Sequence, residues 1–404
     1  MAEPETDLDQ PAEPQQSNFA KSKRLIGHLS LMGFATALAA RAVDPLIPPI
    51  AMTLEADVAR VALLSTAFAL PFALVQPLLG PLADAVGKVR TMMACCLVIM
   101  LSSFLCAVAT SYWVILFGRI VGGMASGGIF PVGMAIVGDL VPVKERQVAL
   151  GRWLAIVIAG NLLGAAFAGV VGDFAGWRAV FAVVGLACGA AFVNGLIHLR
   201  AAADVPRKPF SLRAIPSSYL AVLANPRAKF CFSAVFLEGI AVFGLFPYIS
   251  VLLMQAGEPR AAIAGLVIAA FSIGGLIYSM TVASFMRHLK QPQMMVTGAA
   301  MAAFGFLIVS FDPSWIIQFA ALILVGVGFY LLHACIQVEA TELLPSARGT
   351  AISLHSLFFF VGNATGPVVY GLTFTHLGSN AAVLLGGALI LSVGIMCTRT
   401  LARP

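Results

Sequence analysis

The chain has 404 residues, 60% of them apolar and only 10% charged, with a mean hydropathy of +0.96 and a net charge of +6. Soluble domains carry roughly 25% charged residues, so most of this chain has lipid as its solvent. The basic residues are spread through short loops with no aromatic-interleaved patch, which excludes a nucleic-acid surface and leaves them as reporters of orientation.

Backbone groups in lipid must pair internally, which leaves helix bundles or closed barrels. The apolar runs here are continuous over roughly 20 residues, the length of a spanning helix, where a barrel would show short alternating segments. The expectation is an all-α membrane protein. Its seven cysteines have no metal or disulfide spacing and read as small apolar fillers.

In chain order, residues 1–20 are acidic and rich in Pro and Gln, and read as a disordered cytoplasmic tail rather than a signal peptide. Twelve apolar runs follow, at 25–51, 58–83, 90–110, 113–138, 148–173, 177–199, 229–254, 261–285, 293–311, 315–340, 349–375 and 379–398. Most connections are short. The long one, 200–228, begins a set of six basic residues from Arg200 to Lys229 and divides the runs six and six. This predicts an N-terminal six-helix bundle over 21–199, a cytoplasmic linker over 200–228 and a C-terminal six-helix bundle over 229–404. With the N-terminus inside, 19 of the 24 Lys and Arg residues fall on the cytoplasmic side. Arg60, Arg178 and Arg260 fall outside, and Arg41 and Arg119 lie within helices. The bias places both termini in the cytoplasm.

The halves repeat at an offset of 202. Gly160, Asn161, Gly164 and Gly169 of the fifth run answer to Gly362, Asn363, Gly366 and Gly371 of the eleventh, where Pro367 stands opposite Ala165. Pro45 answers to Pro247. Asp139, Pro142 and Arg146 answer to Glu342, Pro345 and Arg348 with a shift of about one residue. Parallel six-helix repeats with a binding site between them are a known transporter plan.

Four stretches carry chemistry. GPLADAVGKVR over 80–90 combines Gly80 and Gly87, which permit a tight reversal, with Asp84, Lys88 and Arg90. Asp84 suits a helix N-terminus or a nearby cation, and a solvated turn with topogenic charges reads equally well. LFGRIVGGMASG over 116–127 puts Arg119 inside an apolar run beside small residues. Such an Arg costs at least about 2.5 kcal/mol at the centre of a span and points to function, unless it snorkels to the outer interface. GNLLGAAFAG over 160–169 presents a flat glycine face for packing or coupling. LAARAVDPLIP over 38–48 places Arg41 and Asp44 on one helix face ahead of Pro45 and Pro48.

These four stretches resemble motifs A, B, C and D of the major facilitator superfamily, in the right helices and order. Motif D and the antiporter motif C are similar to those of its twelve-helix drug:proton antiporters. Ala85, Ala165, Ala168 and Ala39 depart from the family patterns. The resemblance implies twelve transmembrane helices in two bundles related by a pseudo-two-fold axis. It implies a role in proton transfer for Arg119 and a cavity lined by helices one, four, seven and ten.

Within that frame, Arg41, Asp44, Arg119 and Glu238 are the candidates for proton coupling. Glu238 lies about ten residues into the seventh run, a depth that suits a group loading and releasing a proton. Arg41–Asp44 also reads as a structural pair, and Glu238 as a group buried against a polar neighbour. Gly80, Asp84, Gly87, Lys88, Arg90, Arg146, Glu342 and Arg348 are expected to form the cytoplasmic gate, with Glu339 nearby. Pro45, Pro48, Pro247 and Pro367 are expected to bend helices, and Gly160, Gly164, Gly169, Gly362 and Gly366 to pack them. Phe34, Phe130, Asn161, Phe243, Phe246, Tyr248, Tyr330, His333 and Asn363 are the cavity candidates; aromatics at helical spacing serve packing equally well. His333 and His355 titrate near neutrality or pack.

The expected activity is secondary transport, with proton-coupled efflux of drugs or amphipathic metabolites by alternating access. A sugar or small-metabolite exporter and a proton symporter are the alternatives, with a transporter-like receptor more remote. Protons, a small organic substrate and the lipid bilayer are the expected partners, for a working monomer in a bacterial inner membrane. No nucleotide loop or metal cluster suggests an enzyme, a cofactor or a metal.

Overall fold

The computed structural model describes residues 13–141, 143–199 and 214–401, without the side chains of 13–24, 80–81, 140, 142–148, 151, 154, 158 and 214–218. Most of the expected tail, most of the linker and the Arg146 side chain therefore lie outside the described residues. The first helix starts at Glu13, so residues 13–20, expected in the tail, are helical.

Eleven segments are long and apolar enough to cross a membrane. They are α1 (Leu25–Leu54), α2 (Val58–Val86), α3 (Lys88–Ala107), α4 (Tyr112–Asp139), one long helix Val143–His198, α7 (Ala228–Gln255), α8 (Ala261–His288), α9 (Gln291–Val309), α10 (Trp315–Thr341), α11 (Arg348–Leu377) and α12 (Ser379–Thr400). The long helix is not one crossing. Gly176 has φ 78° and ψ 163°, a conformation that a side chain resists, and it separates α5 (143–175) from α6 (177–198). The chain thus makes the twelve expected crossings, in two six-helix bundles.

The turns follow ordinary local chemistry. Asp57 caps α2 by accepting from the N–H groups of Ala59 (2.7 Å) and Arg60 (3.3 Å). Gly87, at φ 110°, ends α2 and turns the chain into α3. The expected loop over 80–90 is therefore shorter than its motif suggests: Gly80–Val86 complete α2, and Gly87 alone makes the reversal.

Two apolar cores correspond to the two halves. One gathers residues from Leu29 to Leu199 and takes in Val251 and Ala261, and the other draws on Val222 to Leu401 and takes in Ala62 and Ala165. They meet where α2 lies on α11 and α5 lies on α8. The repeated glycines explain the packing within each half. A Cβ on Gly160 would sit 2.8 Å from Phe34 O, and one on Gly164 3.0 Å from Leu38 O, so α5 is pressed onto α1. Gly362 and Gly366 press α11 onto α7 at Phe236 and Gly244 in the same way.

Trp153 is fully buried in a slot made by two glycines, Gly33 of α1 and Gly133 of α4. Trp153→Ala is expected to cost about 3–5 kcal/mol by cavity formation. The check is a thermal melt in detergent; an unchanged melting temperature would refute this packing account.

Candidate functional site

The first helix of each half is broken at the same point of the repeat. In α1 the α-helix stops at Arg41, a 3-10 turn covers Asp44–Leu46, and the helix resumes at Ile47. In α7 it stops at Phe243 and resumes at Phe246. Pro45 and Pro247 lack an N–H and disfavour helical geometry in the residue before them. The breaks expose backbone groups inside the membrane, and side chains satisfy them.

Asp44, 1% exposed, is held from three sides. Its Oδ1 accepts from Ser65 Oγ of α2 at 2.6 Å, and its Oδ2 from Arg41 Nη1 at 3.4 Å. Its carbonyl accepts from Ser250 Oγ of α7 at 3.3 Å. Arg41 crosses to the other half, where its guanidinium lies 4.7 Å from the Phe243 ring centroid and 4.9 Å from that of Phe246. Those rings occupy the repeat positions of Arg41 and Asp44. The charged pair thus rests on its own aromatic counterparts, a cation–π contact.

Arg119 does not snorkel. It is 4% exposed and lies beneath α1 and α2. Nη1 donates to Ala39 O at 2.9 Å, in the last helical turn before the α1 break, and Nε to Leu64 O at 3.3 Å. Phe68 covers the guanidinium at 4.1 Å. Nη2 is buried without a partner beside a cavity of about 10 Å³ lined by Ser102, Ser103 and Cys106. That is close to the least space a water needs.

In the C-terminal half, Glu238 is 0% exposed and its Oε2 lies 2.8 Å from His333 Nδ1. Its Oε1 has no partner. His333, 17% exposed, stacks on Phe329 and meets the buried His355 ring at 5.1 Å. Around it Phe243, Phe246, Phe271, Phe329 and Phe359 form a continuous cluster, with Phe243 5.1–5.5 Å from the other four. Tyr330 joins the cluster tilted against Phe271 and edge-on to Phe329. The cluster is half-buried at Phe243 on α7 and at Tyr330 and His333 on α10.

Other cavity candidates are placed differently. Tyr248 donates to Pro367 O at 2.9 Å and stacks on Phe374, buried between α7 and α11. Asn363 is buried where α11 presses on Gly239. Phe34, Phe130 and Asn161 are half-buried in the N-terminal half, with Asn161 bonded to Val157 O of its own helix. Pro367 lies inside an uninterrupted α11.

At the basic end of the bundle, Lys88 pairs with Asp139 (2.5 Å) and Asp84 (3.6 Å), and Arg348 pairs with Glu342 (3.0 Å). Glu339 turns to Arg227 and Gln291 instead, at 2.8 and 2.9 Å. Each of these pairs stays within one half. Arg90 also has interaction partners at this end. At the opposite end the halves are joined. Asp173 of α5 accepts from the N–H groups of Ala261 (2.9 Å) and Ala262 (2.8 Å) at the start of α8. Gly169 and Gly265 let the two backbones touch there. Nearer the middle, Thr66 Oγ1 donates to Ala364 O at 2.7 Å. Asp173, Ser65 and Ser250 are absent from any sequence motif; only the fold brings them into play.

The described cysteines are all free and buried, and among the described residues no group of three His, Cys, Asp or Glu side chains could hold a metal ion.

Comparison with known proteins agrees with this architecture. The family model described as Major Facilitator Superfamily matches residues 29–367 and 260–404. A "Probable sugar efflux transporter" of Helicobacter acinonychis (strain Sheeba) is 24% identical over 348 residues, covering 85% of this chain and 86% of that one. "Multidrug resistance protein 2" of Bacillus subtilis (strain 168) is 21% identical over 340 residues, covering 82% and 84%. Among solved structures, a bacterial homolog of the human lysosomal transporter Spinster, inward-facing and unoccupied, matches with a TM-score of 0.72 at 16% identity, over 97% of this chain and 96% of that one. With a repeated broken first helix and a family match along almost its whole length, this chain is a multi-pass membrane transporter of the Major Facilitator Superfamily.

Proposed function

We propose that the chain is a proton-coupled exporter of amphipathic organic molecules, working by alternating access, with Glu238 as its proton carrier. The observation that carries this reading is the Glu238–His333 contact. Glu238 has no solvent contact of its own, and its neighbour is a partly exposed imidazole. An imidazole can take a proton on one ring nitrogen and release one from the other, so His333 offers the carboxyl a route for protons. The same imidazole stacks into the aromatic cluster, which puts the proton site against the surface an apolar substrate would use.

Arg41, Asp44 and Arg119 support the α1 break in this scheme and transmit its movement. The pairs at the basic end, Lys88 with Asp139 and Arg348 with Glu342, brace each half at the end that the charge bias assigns to the cytoplasm. At the opposite end Asp173 of α5 joins the halves by accepting from the N–H groups of Ala261 and Ala262.

The test is accumulation in everted membrane vesicles with an acid lumen, using amphipathic dyes and neutral sugars in parallel. Dye uptake that collapses on adding an uncoupler is the expected result. Uptake of a sugar alone would favour the second reading, export of sugars, which the name of the Helicobacter relative suggests. Uptake indifferent to the uncoupler would overturn proton coupling.

A further inference from the structure

Of the four Arg, Asp and Glu side chains deep in the described spans, Asp44, Arg119 and Glu238 are sealed off, while Arg41 is 16% exposed. It is the one of the four that keeps exposed surface. Its guanidinium carries five N–H groups, yet its one hydrogen bond among the described residues is the 3.4 Å contact to Asp44. Asp44 is already satisfied by the shorter bond from Ser65. Phe243 and Phe246 cover the guanidinium face and cannot accept from its N–H edge.

We infer that this open edge receives an oxyanion, and that the substrate is an amphipathic organic anion: a carboxylate carried on an aromatic or bulky apolar body. The inference rests on the transport reading above and narrows its substrate class. The fork of an Arg accepts a carboxylate through two parallel charge-assisted bonds, the strongest hydrogen bonds a neutral-pH site offers. The same geometry lays the body of the molecule along Phe243 and Tyr330, the half-buried rings beside Arg41. An organic cation placed on these rings meets the charge of Arg41, which already occupies the cation–π position. A neutral molecule gains only ordinary hydrogen bonds.

The experiment is calorimetric binding to the purified full-length protein, without any gradient, of 1-naphthoate, 1-naphthamide and 1-naphthylmethylammonium. These share one ring system and differ in charge. Naphthoate is expected to bind at least about tenfold tighter than the amide, the scale of a charge-assisted bond, and the ammonium not at all. Arg41→Gln is expected to remove the preference for naphthoate while leaving amide binding within about threefold, with Arg41→Lys in between. Equal binding of naphthoate and amide, preference for the ammonium, no binding of any of the three, or a naphthoate preference that survives Arg41→Gln would each overturn the inference. If Arg41→Gln does not fold, the ranking on the unaltered protein decides alone. Because binding is read without a gradient, loss of proton coupling elsewhere leaves this result intact. Proton-coupled transport of the ammonium probe would refute the inference and keep the transport reading.

Discussion

Glu238→Gln is expected to abolish gradient-driven accumulation while leaving substrate exchange across the membrane within about threefold of the unaltered protein. A difference of one pH unit is worth about 1.4 kcal/mol per proton, so coupling to one proton supports at most about tenfold accumulation. The substitution is expected to bring that ratio to about one. Gln has nearly the shape of Glu and still accepts from His333 Nδ1, so the 2.8 Å contact and the surrounding rings stay in place. What it loses is the ability to give up a proton. Exchange needs only the alternating movement and the substrate surface, which the change leaves alone. Retained accumulation in the variant, measured in everted vesicles, would place the proton site elsewhere; loss of exchange together with accumulation would mean that Glu238 is structural.

Gly169→Val is expected to hold the transporter open at the Asp173 end and slow transport at least about tenfold. At that end α5 and α8 meet backbone to backbone. A Cβ on Gly169 overlaps the carbonyl of Ala261, and one on Gly265 overlaps that of Ala165. Both obstructing atoms are backbone, so no side chain can swing aside, and α8 itself must move. Overpacking of this kind costs about 1–3 kcal/mol or more. The penalty falls only on the conformation in which these helices touch, so it shifts the balance between states by roughly 5- to 150-fold. Each half keeps its own core, because the overlap lies between halves. Spin labels at Thr110 and Asn380, both exposed and at that end, report the shift as longer distances. Gly169→Ala should act in the same direction and less strongly. An unchanged distance distribution with intact transport would mean that this contact does not close the molecule.

The architecture was largely legible because lipid leaves few options. Length and hydropathy fix a spanning helix, and the spacing of Pro45 and Pro247 already marks where the first helix of each half breaks. The repeat also pairs Arg41 with Phe243 and Asp44 with Phe246, although nothing in the sequence says that these positions would touch each other across the cleft. The site was less legible. Glu238 and His333 are 95 residues apart, and their contact depends on the rotation of α7 against α10, which periodicity does not set. Arg119 was readable as a buried charge. That it satisfies Ala39 O beside the α1 break follows from the break itself, a backbone event. Asp173 sits at a helix end among ordinary polar residues and becomes a clasp only because α8 begins opposite it. The glycines of 160–169 show two jobs that one motif conceals: Gly160 and Gly164 pack α5 on α1, while Gly169 meets the other half.

The central claim is that movement of substrate and movement of a proton through Glu238 are one event. It is tested most directly by recording the internal pH of proteoliposomes with a trapped dye while a transported substrate runs down its own gradient, with no pH gradient imposed. The account predicts a pH change that starts with the substrate, scales with its flux and disappears in Glu238→Gln. Substrate flux with no pH change, or a pH change that persists in the variant, would contradict it.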